Sequence, residues 1–183
     1  MALGLIIGLI VAFLIIITIS YYNRFIVLSN RIDNALSQIN VQLKRRADLI
    51  PNLIETVKGY AKHEKSIMTE VSEARKALVS AKNISNKIKA NDVLTSTLGK
   101  LFAIAENYPN LKANENFLEL QKELSSTEDR VAYSRQNYND SVLSYNNMTE
   151  KFPGTVFAGI FNKKRKTFIE IAPTEKEVPK VKF

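Results

Sequence analysis

The chain opens with a long apolar run and continues as amphipathic segments. The first 19 residues carry no charged side chain, and Tyr21 and Tyr22 follow directly. As a helix, Ala2 to Ile19 would rise about 27 Å, close to the thickness of the hydrocarbon core of a bilayer. Tyrosine is enriched where such a helix meets the headgroups. The pattern predicts a transmembrane anchor over residues 1–22.

A cleaved signal peptide is the alternative interpretation of this run. A signal peptide needs a basic segment before the apolar stretch and a small-x-small cleavage site after it. Neither occurs before Arg24. Because the chain has no cysteine, a lipid-modified cysteine is excluded as well. We therefore expect an uncleaved anchor in the cell membrane.

Two glycines lie on one face of the predicted anchor. Gly4 and Gly8 form a small-xxx-small pair, a pattern that lets two membrane helices approach closely. The pair predicts a dimerisation surface, and hence a homo-oligomer. Since glycine is common in membrane helices, an anchor without dimerisation is the alternative.

Positive charge around the anchor predicts its orientation. Only the α-amino group precedes the span, whereas Arg24 and Arg31 and then Lys44, Arg45 and Arg46 follow it. By the positive-inside rule, these charges favour a single pass with a short N-terminus outside and the following domain in the cytoplasm.

From Ile32 onward, apolar residues recur at alternating spacings of four and three. This is the heptad pattern of helices that pack against other helices. The seam continues to Ala81, and its two charged interruptions are Arg46 and Glu64. The pattern predicts helix over nearly all of residues 32–81.

Pro51 lies beside this seam and bears on its continuity. Proline removes a backbone donor and crowds the preceding turn. The favoured interpretation is a tight turn near Arg46, after which a second helix begins with Asp48 as its N-cap. One long helix kinked at Pro51 is the alternative.

The second half of the chain predicts two more helices. Residues 82–91 are polar and indicate a connection, whereas residues 92–107 indicate a short helix that Tyr108-Pro109-Asn110 ends as a turn. Residues 113–149 repeat the heptad pattern. Phe152-Pro153-Gly154 then predicts the end of the helical region.

These elements predict an all-α fold. An N-terminal transmembrane helix would be followed by an antiparallel up-and-down four-helix bundle with coiled-coil-like packing and by a short irregular C-terminal tail. The predicted domains are the anchor at 1–22, the bundle at 23–152 and a basic tail at 153–183, which lies along the bundle or on the membrane.

Charged residues inside the seams are the candidate site of the bundle. Arg46 and Glu64 interrupt the first seam, and Glu128 and Arg135 interrupt the last. Burying an unpaired charge is costly, so we expect at least one contact of opposite charges between the two seams. The alternatives are four charges at exposed seam edges, or a polar site between helices that binds a small ligand.

The net charge of +8 is unevenly distributed. Residues 24–112 carry +7, residues 113–150 carry −4 and residues 151–183 carry +5. The basic run Lys163, Lys164, Arg165 and Lys166 suits contact with anionic lipid beside a bilayer, and a solvated surface run is the alternative. Without a groove-reading motif, the sequence does not favour nucleic-acid binding.

Catalytic and metal-binding motifs are missing from the sequence. His63-Glu64 begins like a zinc-protease helix, but the position four residues after His63 is Ile67 and the chain has no other histidine. Gly99-Lys100 lacks the glycine-rich loop that would make it a phosphate-binding motif. We expect a protein without enzymatic activity, metal or cofactor.

Several stretches of the chain resemble the LemA family of bacterial membrane proteins. The resemblance covers nearly the whole chain in order. Its segments are Ser37–Leu53, Thr56–Ala61 with His63-Glu64, Tyr108-Pro109, Leu111–Asn114, Thr127–Arg130, Arg135 with Tyr138-Asn139, Tyr145-Asn146, Phe152-Pro153, and Pro179, Val181 and Phe183.

The resemblance implies an N-terminal anchor with a short outer terminus and a four-helix, up-and-down bundle. It does not supply a mechanism. The polar positions that match the family here are Gln42, Arg45, Arg46, Asp48, Asn52, Arg135, Tyr138 and Asn139. Capping and packing explain these positions as readily as a ligand site does.

Three functional hypotheses follow from the sequence and the resemblance. The first is a membrane-anchored helical interaction or scaffold protein that binds other proteins of the cell envelope. The second is a protein that binds or shapes the membrane surface and self-associates. The third is a binder of a small ligand in the polar site between helices.

Overall fold

A computed structural model describes residues 1–170, and this part of the chain is all-helical. The closing Pro179, Val181 and Phe183 lie outside it. Within the described residues there are six helices and no strand: α1 (Ala2–Tyr60), α2 (Lys65–Ser80), α3 (Ile84–Ala105), α4 (Pro109–Lys112), α5 (Glu115–Glu150) and α6 (Gly154–Ile160). The all-α prediction is confirmed, and the antiparallel arrangement of four helices stays a prediction.

The N-terminal part of α1 is the predicted anchor. No residue of Ala2–Ile19 is buried, although nearly all of them are apolar. By length and composition, α1 is the one helix of the described chain suited to crossing a membrane. Because none of these residues is buried within residues 1–170, burial in a protein core does not explain the composition of the segment.

The predicted break near Arg46 is wrong, because α1 continues through Pro51 to Tyr60. Proline at position 51 cannot donate to the carbonyl of Ala47, four residues earlier. Arg75 of α2 replaces that donor, since its Nε lies 2.7 Å from the Ala47 oxygen. A side chain from another helix thus satisfies the carbonyl that proline leaves without a partner.

The chain instead breaks its first seam at residues 61–64. α1 ends at Tyr60, and Ala61 and Glu64 close the turn before α2 begins at Lys65. Ala61 donates to Val57 at 2.8 Å, and Glu64 donates to Ala61 at 3.1 Å. The heptad spacing runs on across this turn, so the periodicity alone does not reveal the break.

α3 begins earlier than predicted, and residues 84–91 are helix rather than a connection. The Asn83 side chain caps the helix by accepting from the backbone N–H of Asn86 at 2.8 Å. The residues of this first part alternate between solvent and core, and Ile88 and Asn91 are buried. Ser85, Asn86 and Lys89 lie on its exposed face.

The expected turn at Tyr108-Pro109-Asn110 is a one-turn helix, α4, with proline in its first turn. α5 then starts at Glu115, where the Asn114 side chain accepts from the backbone N–H of Phe117 at 3.0 Å. Its end at Glu150 lies one residue from the predicted position.

The helical region does not end at Phe152-Pro153-Gly154, because α6 follows immediately. Gly154 permits this tight corner, since a Cβ at that position would lie 2.2 Å from the carbonyl oxygen of Met148. Asn162, with φ of 51°, ends α6, and the N–H of Lys163 donates to the Ala158 carbonyl at 2.8 Å. Asparagine tolerates this left-handed conformation better than most residues.

The described chain divides into two compact units. The membrane-proximal unit comprises residues 1–37 and 135–168, and the helical-hairpin unit comprises residues 38–134 with residues 169–170. The core of the first includes Phe25, Leu28, Ile32, Val142, Tyr145 and Ala158. The core of the second includes Ile39, Ile50, Leu53, Val71, Leu94, Leu101, Leu111, Leu124 and Val131.

Candidate functional site

The helical-hairpin unit contains the predicted contact between the two seams. Arg46 of α1 is 2% exposed and forms an ion pair with Glu128 of α5, whose side chain is about one-third exposed. The expectation that opposite charges join the seams is confirmed for this pair. Glu128 connects the buried guanidinium to the edge of the core.

Two polar residues of α3 complete this cluster. Asn91 is fully buried, and its Oδ1 accepts from Arg46 Nη1 at 3.2 Å. Thr95 Oγ1 lies 3.0 Å from Glu128 Oε2 and 3.0 Å from the Asn91 carbonyl oxygen. Three helices are thus joined by one polar cluster: Arg46, Asn91, Thr95 and Glu128.

Burial governs the ionisation of Arg46. Desolvation lowers the pKa of Arg46 to about 10, and the negative charge of Asp92 opposes this shift. The guanidinium therefore remains charged at neutral pH. Arg46 Nε and Asn91 Nδ2 are buried with no hydrogen-bond partner among the described residues.

The other two charges of the seams lie elsewhere. Glu64 is half-buried at the turn between α1 and α2, where it accepts from the Tyr108 hydroxyl at 2.8 Å. This hydrogen bond raises the pKa of Tyr108. Arg135 is 7% exposed and belongs to the membrane-proximal unit. Within the helical-hairpin unit, Glu64 therefore contacts Tyr108, whereas Arg46 contacts Glu128.

The family-matching polar residues of α1 have mostly structural partners. Arg45 forms an ion pair with Glu123 at 2.6 Å, and Asp48 pairs with Lys44 at 2.9 Å. Both pairs are substantially exposed. Asn52 is exposed, whereas Gln42 is half-buried and its Oε1 has no partner within residues 1–170.

The described residues offer no metal site beside the polar cluster. Among the described residues, no group of three histidine or acidic side chains could hold a metal ion. Four surface pockets are lined by residues of α1, α2, α3 and α5 and of the corner before α6, and the lining of these four does not include Arg46, Glu64, Glu128 or Arg135. Ligand binding between the helices stays a prediction.

In the membrane-proximal unit, α6 packs against α1 just beyond the apolar span. The ring of Phe157 stacks on Tyr21 with centroids 4.4 Å apart, and Phe161 meets Tyr22 edge-on at 5.2 Å. Phe25 is fully buried and contacts both Phe161 and Tyr145. Aromatic stacking thus fixes α6 beside the predicted membrane boundary.

The opposite face of this corner is apolar and exposed. Phe152 is 83% exposed, Val156 50% and Ile160 63%. Residues 152–161 carry no charge, and the basic run begins at Lys163. Val156 and Ile160 are one helical turn apart, so they lie on the same face. We call Phe152, Val156 and Ile160 the apolar corner.

A basic pocket of 380 Å³ lies beside the apolar corner. Arg24 and Arg31 of α1 line it together with Lys151. Its remaining lining is Tyr21, Leu28, Ser144, Asn147, Met148, Phe152 and Gly154. No acidic side chain contributes to this lining, so we call it the cationic pocket.

The described part of the tail lies along α5. Asn146 is buried, and its amide accepts from the N–H of Lys166 and donates to the carbonyl of Lys166, both at 2.9 Å. The Tyr138 hydroxyl donates to the Thr167 carbonyl at 3.2 Å, and Arg165 pairs with Glu150 at 2.7 Å. Tyr138 thus has a structural role in holding the tail.

The predicted lipid-contact residues Lys163, Lys164, Arg165 and Lys166 follow α6 directly. Lys163 is half-buried, and the other three are exposed. Burial, with a further contribution from Asp33, raises the pKa of Tyr138, while Asn139 is half-buried. Contact of the basic run with lipid stays a prediction.

The two anchor glycines are exposed on α1, and a Cβ at either would meet no atom within 4 Å. Their surface is therefore not covered by any described residue. Dimerisation through Gly4 and Gly8 stays a prediction.

The sequence pattern missed the apolar corner and the cationic pocket. The uncharged run 152–161 was a usable signal for the corner, but Pro153 and Gly154 indicated only a stop. Lys151 belongs to the pocket because the chain turns at Gly154, and Asn91 and Thr95 reach Glu128 because α3 packs beside α5. Such long-range neighbours are not encoded in heptad spacing.

Comparison with known proteins identifies relatives of this chain. The model of the LemA family matches residues 35–183. A magnetosome protein, MamQ, of Magnetospirillum gryphiswaldense is 26% identical over 178 residues, which cover 83% of this chain and 65% of the relative. The magnetosome protein MamQ 2 of Paramagnetospirillum magneticum has the same identity and coverage.

A protein named LemA from Metamycoplasma hominis is 27% identical over 124 residues, covering 67% of this chain and 57% of the relative. The chain therefore spans somewhat less than two thirds of the length of these relatives. The matches support the assignment of the family, and the apolar N-terminal helix is consistent with membrane association.

Proposed function

Because this chain belongs to the LemA family, we propose that it is a membrane-anchored helical protein without catalytic activity that acts at the surface of the bilayer. In this proposal, α1 crosses the membrane once and α6 lies in the interface beside it. The protein is thus attached both by an anchor and by a surface-lying helix.

The position of α6 carries the proposal. Tyr21, on which Phe157 stacks, follows the end of the apolar span at Ile19 by two residues, or about 3 Å of helix. A helix held at that level by Tyr21 would lie at the depth of the headgroups. Its exposed Val156 and Ile160 could then enter the boundary between headgroups and acyl chains, as interfacial helices do.

The charges on either side of α6 support the same placement. Lys151 precedes the uncharged corner, and the basic run begins two residues after Phe161. An apolar segment bounded by cations is typical of segments that bind anionic membrane surfaces. The positive charges after the span also favour a bundle on the cytoplasmic side.

The proposed arrangement of the helical-hairpin unit is the antiparallel four-helix bundle that the sequence predicts. Polar contacts join α1 to α2 through Arg75, to α3 through Asn91 and to α5 through Glu128. Phe102 of α3 and Phe117 of α5 pack edge-on with centroids 6.0 Å apart. These contacts support a common core for the four segments.

Depth-dependent fluorescence quenching in vesicles tests the membrane-surface proposal. The cysteine-free chain allows single labelling, with a fluorophore placed at Ile160→Cys in the full-length protein. We expect strong quenching by lipids that carry a quencher near the headgroup. The matched control is Val79→Cys, which is 62% exposed on α2 and should remain unquenched. Equal quenching at both positions, or none at position 160, would contradict the proposal.

A groove on α1 and α2 supports a second candidate function, the interaction scaffold. It encloses 840 Å³, and its lining includes Ile54 and Met68, which are nearly buried. Four lysines and a single glutamate line its rim: Lys58, Lys62, Lys65, Lys76 and Glu73. An acidic amphipathic helix of a partner protein matches this charge and this apolar floor.

Site-specific photo-crosslinking in cells tests the scaffold. With the crosslinker at Thr69, inside the groove, we expect a crosslink to an acidic amphipathic segment of a partner protein. Mass spectrometry of the crosslinked peptide identifies that segment. Lys62→Glu with Lys65→Glu should abolish that product, whereas Lys82→Glu with Lys89→Glu should not. Capture of a basic or uncharged segment, or equal yields from both variants, would exclude this partner chemistry.

A further inference from the structure

The cationic pocket places three positive side chains around one cavity at the membrane boundary. Arg24 and Arg31 are seven residues apart on α1, so they lie on the same face about 10 Å from each other along the axis. Lys151 enters from the end of α5. The pocket volume of 380 Å³ is sufficient for a phosphate group with its glycerol substituents.

These three cations have no counter-charge in the described chain. Neither Arg24, Arg31 nor Lys151 forms an ion pair with any residue of 1–170, although other basic residues nearby do, such as Arg165 with Glu150. Like charges that line one cavity repel each other. An anion in the pocket would relieve this repulsion.

The neutral part of the lining suits a phosphate. Asn147 of α5 lines the pocket and offers an amide donor beside the cations, whereas the Ser144 hydroxyl donates to the Asp140 carbonyl at 2.9 Å. Arginine pairs with phosphate through two parallel N–H donors, and here both arginines are available. These cations would also attract a carboxylate ligand, but phosphate groups are abundant at the bilayer surface, where the pocket lies in the proposed placement.

The location decides the source of that phosphate. Tyr21 lines the pocket and lies at the end of the apolar span, and Phe152 connects the pocket to the apolar corner. Arg24 follows Ile19 by five residues, or about 7 Å, which is within the headgroup layer of a bilayer. A ligand here would have its phosphate among the cations and its acyl chains beside α1 and α6.

We propose that the cationic pocket is a binding site for the phosphate headgroup of an anionic phospholipid. This inference rests on the proposed placement of α6 at the bilayer surface. It adds one specific lipid site to the non-specific attachment of the protein to the membrane surface. Basic pockets beside membrane helices are known to select lipids by this chemistry.

Lipid retention by the full-length chain tests the site. The protein is placed in nanodiscs containing phosphatidylglycerol and phosphatidylcholine in equal amounts, and native mass spectrometry counts the lipids that remain bound. We expect selective retention of phosphatidylglycerol. Replacing Arg24, Arg31 and Lys151 by Gln should reduce it at least tenfold, since each cation near a surface contributes about fivefold.

A matched variant separates the pocket from general charge. Lys62→Gln, Lys65→Gln and Lys76→Gln remove three cations from the helical-hairpin unit and should leave retention unchanged. If both triple variants lose lipid equally, there is no defined site. Arg24→Lys with Arg31→Lys keeps the charge and should retain most binding, which guards against a variant that merely misfolds.

Two further readings separate the alternatives. Glycerol phosphate in solution should not displace the lipid, and its displacement of lipid at millimolar concentration would assign the pocket to a soluble phosphate compound instead. The Ile160 quenching experiment on the Gln variant shows whether α6 still lies in the interface. Normal quenching with unchanged lipid retention would overturn the lipid site alone, whereas lost quenching in the natural chain would overturn the surface proposal.

Discussion

At the residue scale, single polar side chains allow helices to continue or to pack where the local sequence disfavours it. Pro51 leaves the Ala47 carbonyl without its usual helical donor, and Arg75 supplies one from α2 at 2.7 Å. Ala47 is 2% exposed, so water has little access to that oxygen. The prolyl residue and the arginine are therefore one structural unit, although 24 positions separate them in the sequence.

This pairing predicts a non-additive effect on stability. Arg75→Met should lower the free energy of unfolding by about 1–3 kcal/mol, because it leaves a buried carbonyl unsatisfied. In a Pro51→Ala background the alanine N–H can donate to Ala47, so the same change should cost less than about 1 kcal/mol. Chemical denaturation of the four variants in detergent measures this cycle. Equal costs in both backgrounds would mean that Arg75 stabilises the fold in some other way.

The buried ion pair of Arg46 should contribute more to stability than the exposed ion pair of Arg45. Arg46→Met should destabilise the protein by about 1–3 kcal/mol, because Asn91 loses its charged partner inside the core and Glu128 loses it at the edge of the core. Arg45→Met removes the neighbouring pair with Glu123, which is half-exposed, and should cost less than about 1 kcal/mol. Thermal unfolding followed by circular dichroism compares them. Equal effects would mean that burial does not distinguish the two pairs.

The residues of this cluster were only partly predictable. Arg46 and Glu128 are recognisable in the sequence because each interrupts an apolar seam. Their ion pair is predictable because burying an unpaired charge is costly. Asn91 and Thr95 did not stand out, since asparagine and threonine are common on solvated faces and nothing local indicates that α3 turns them inward.

At the scale of elements, heptad periodicity predicted the long helices but not where the chain turns. α5 ends one residue from its predicted end, whereas α1 passes the predicted break and stops at Tyr60 instead. A periodic seam continues through a tight turn when the turn happens to preserve its phase. Pro51 does not break α1, because the compensating donor comes from another helix.

The corner between α5 and α6 makes a prediction at this scale. Gly154→Ala should destabilise the membrane-proximal unit by about 1–3 kcal/mol, since its Cβ would clash with the Met148 carbonyl. Gly159→Ala, in the same helix, meets no atom within 4 Å and should stabilise α6 by up to about 1 kcal/mol. Unfolding in detergent gives both values, and effects of the same sign would show that the corner does not require glycine.

At the scale of the whole molecule, the main feature is the direct connection between the predicted anchor and the folded chain. Within the membrane-proximal unit, α1 continues from the apolar span into the core without a linker. α6 packs against the turns of α1 that follow the span, through ring contacts with Tyr21, Tyr22 and Phe25. The class of fold and the anchor followed from the sequence. The surface helix did not, because its ten uncharged residues are too short for a span and contain two residues that usually end helices.

In this structure, α6 lies against α1 where the apolar span ends. Cysteine crosslinking in native membranes tests it most directly, because the natural chain has no cysteine. The pair Tyr21→Cys and Phe157→Cys replaces two rings whose centroids are 4.4 Å apart, and a short bifunctional crosslinker should join the two thiols within one chain. The pair Tyr21→Cys and Ile160→Cys, which uses the exposed face of α6, should react far less. Equal reaction of both pairs, or products only between separate chains, would contradict the account.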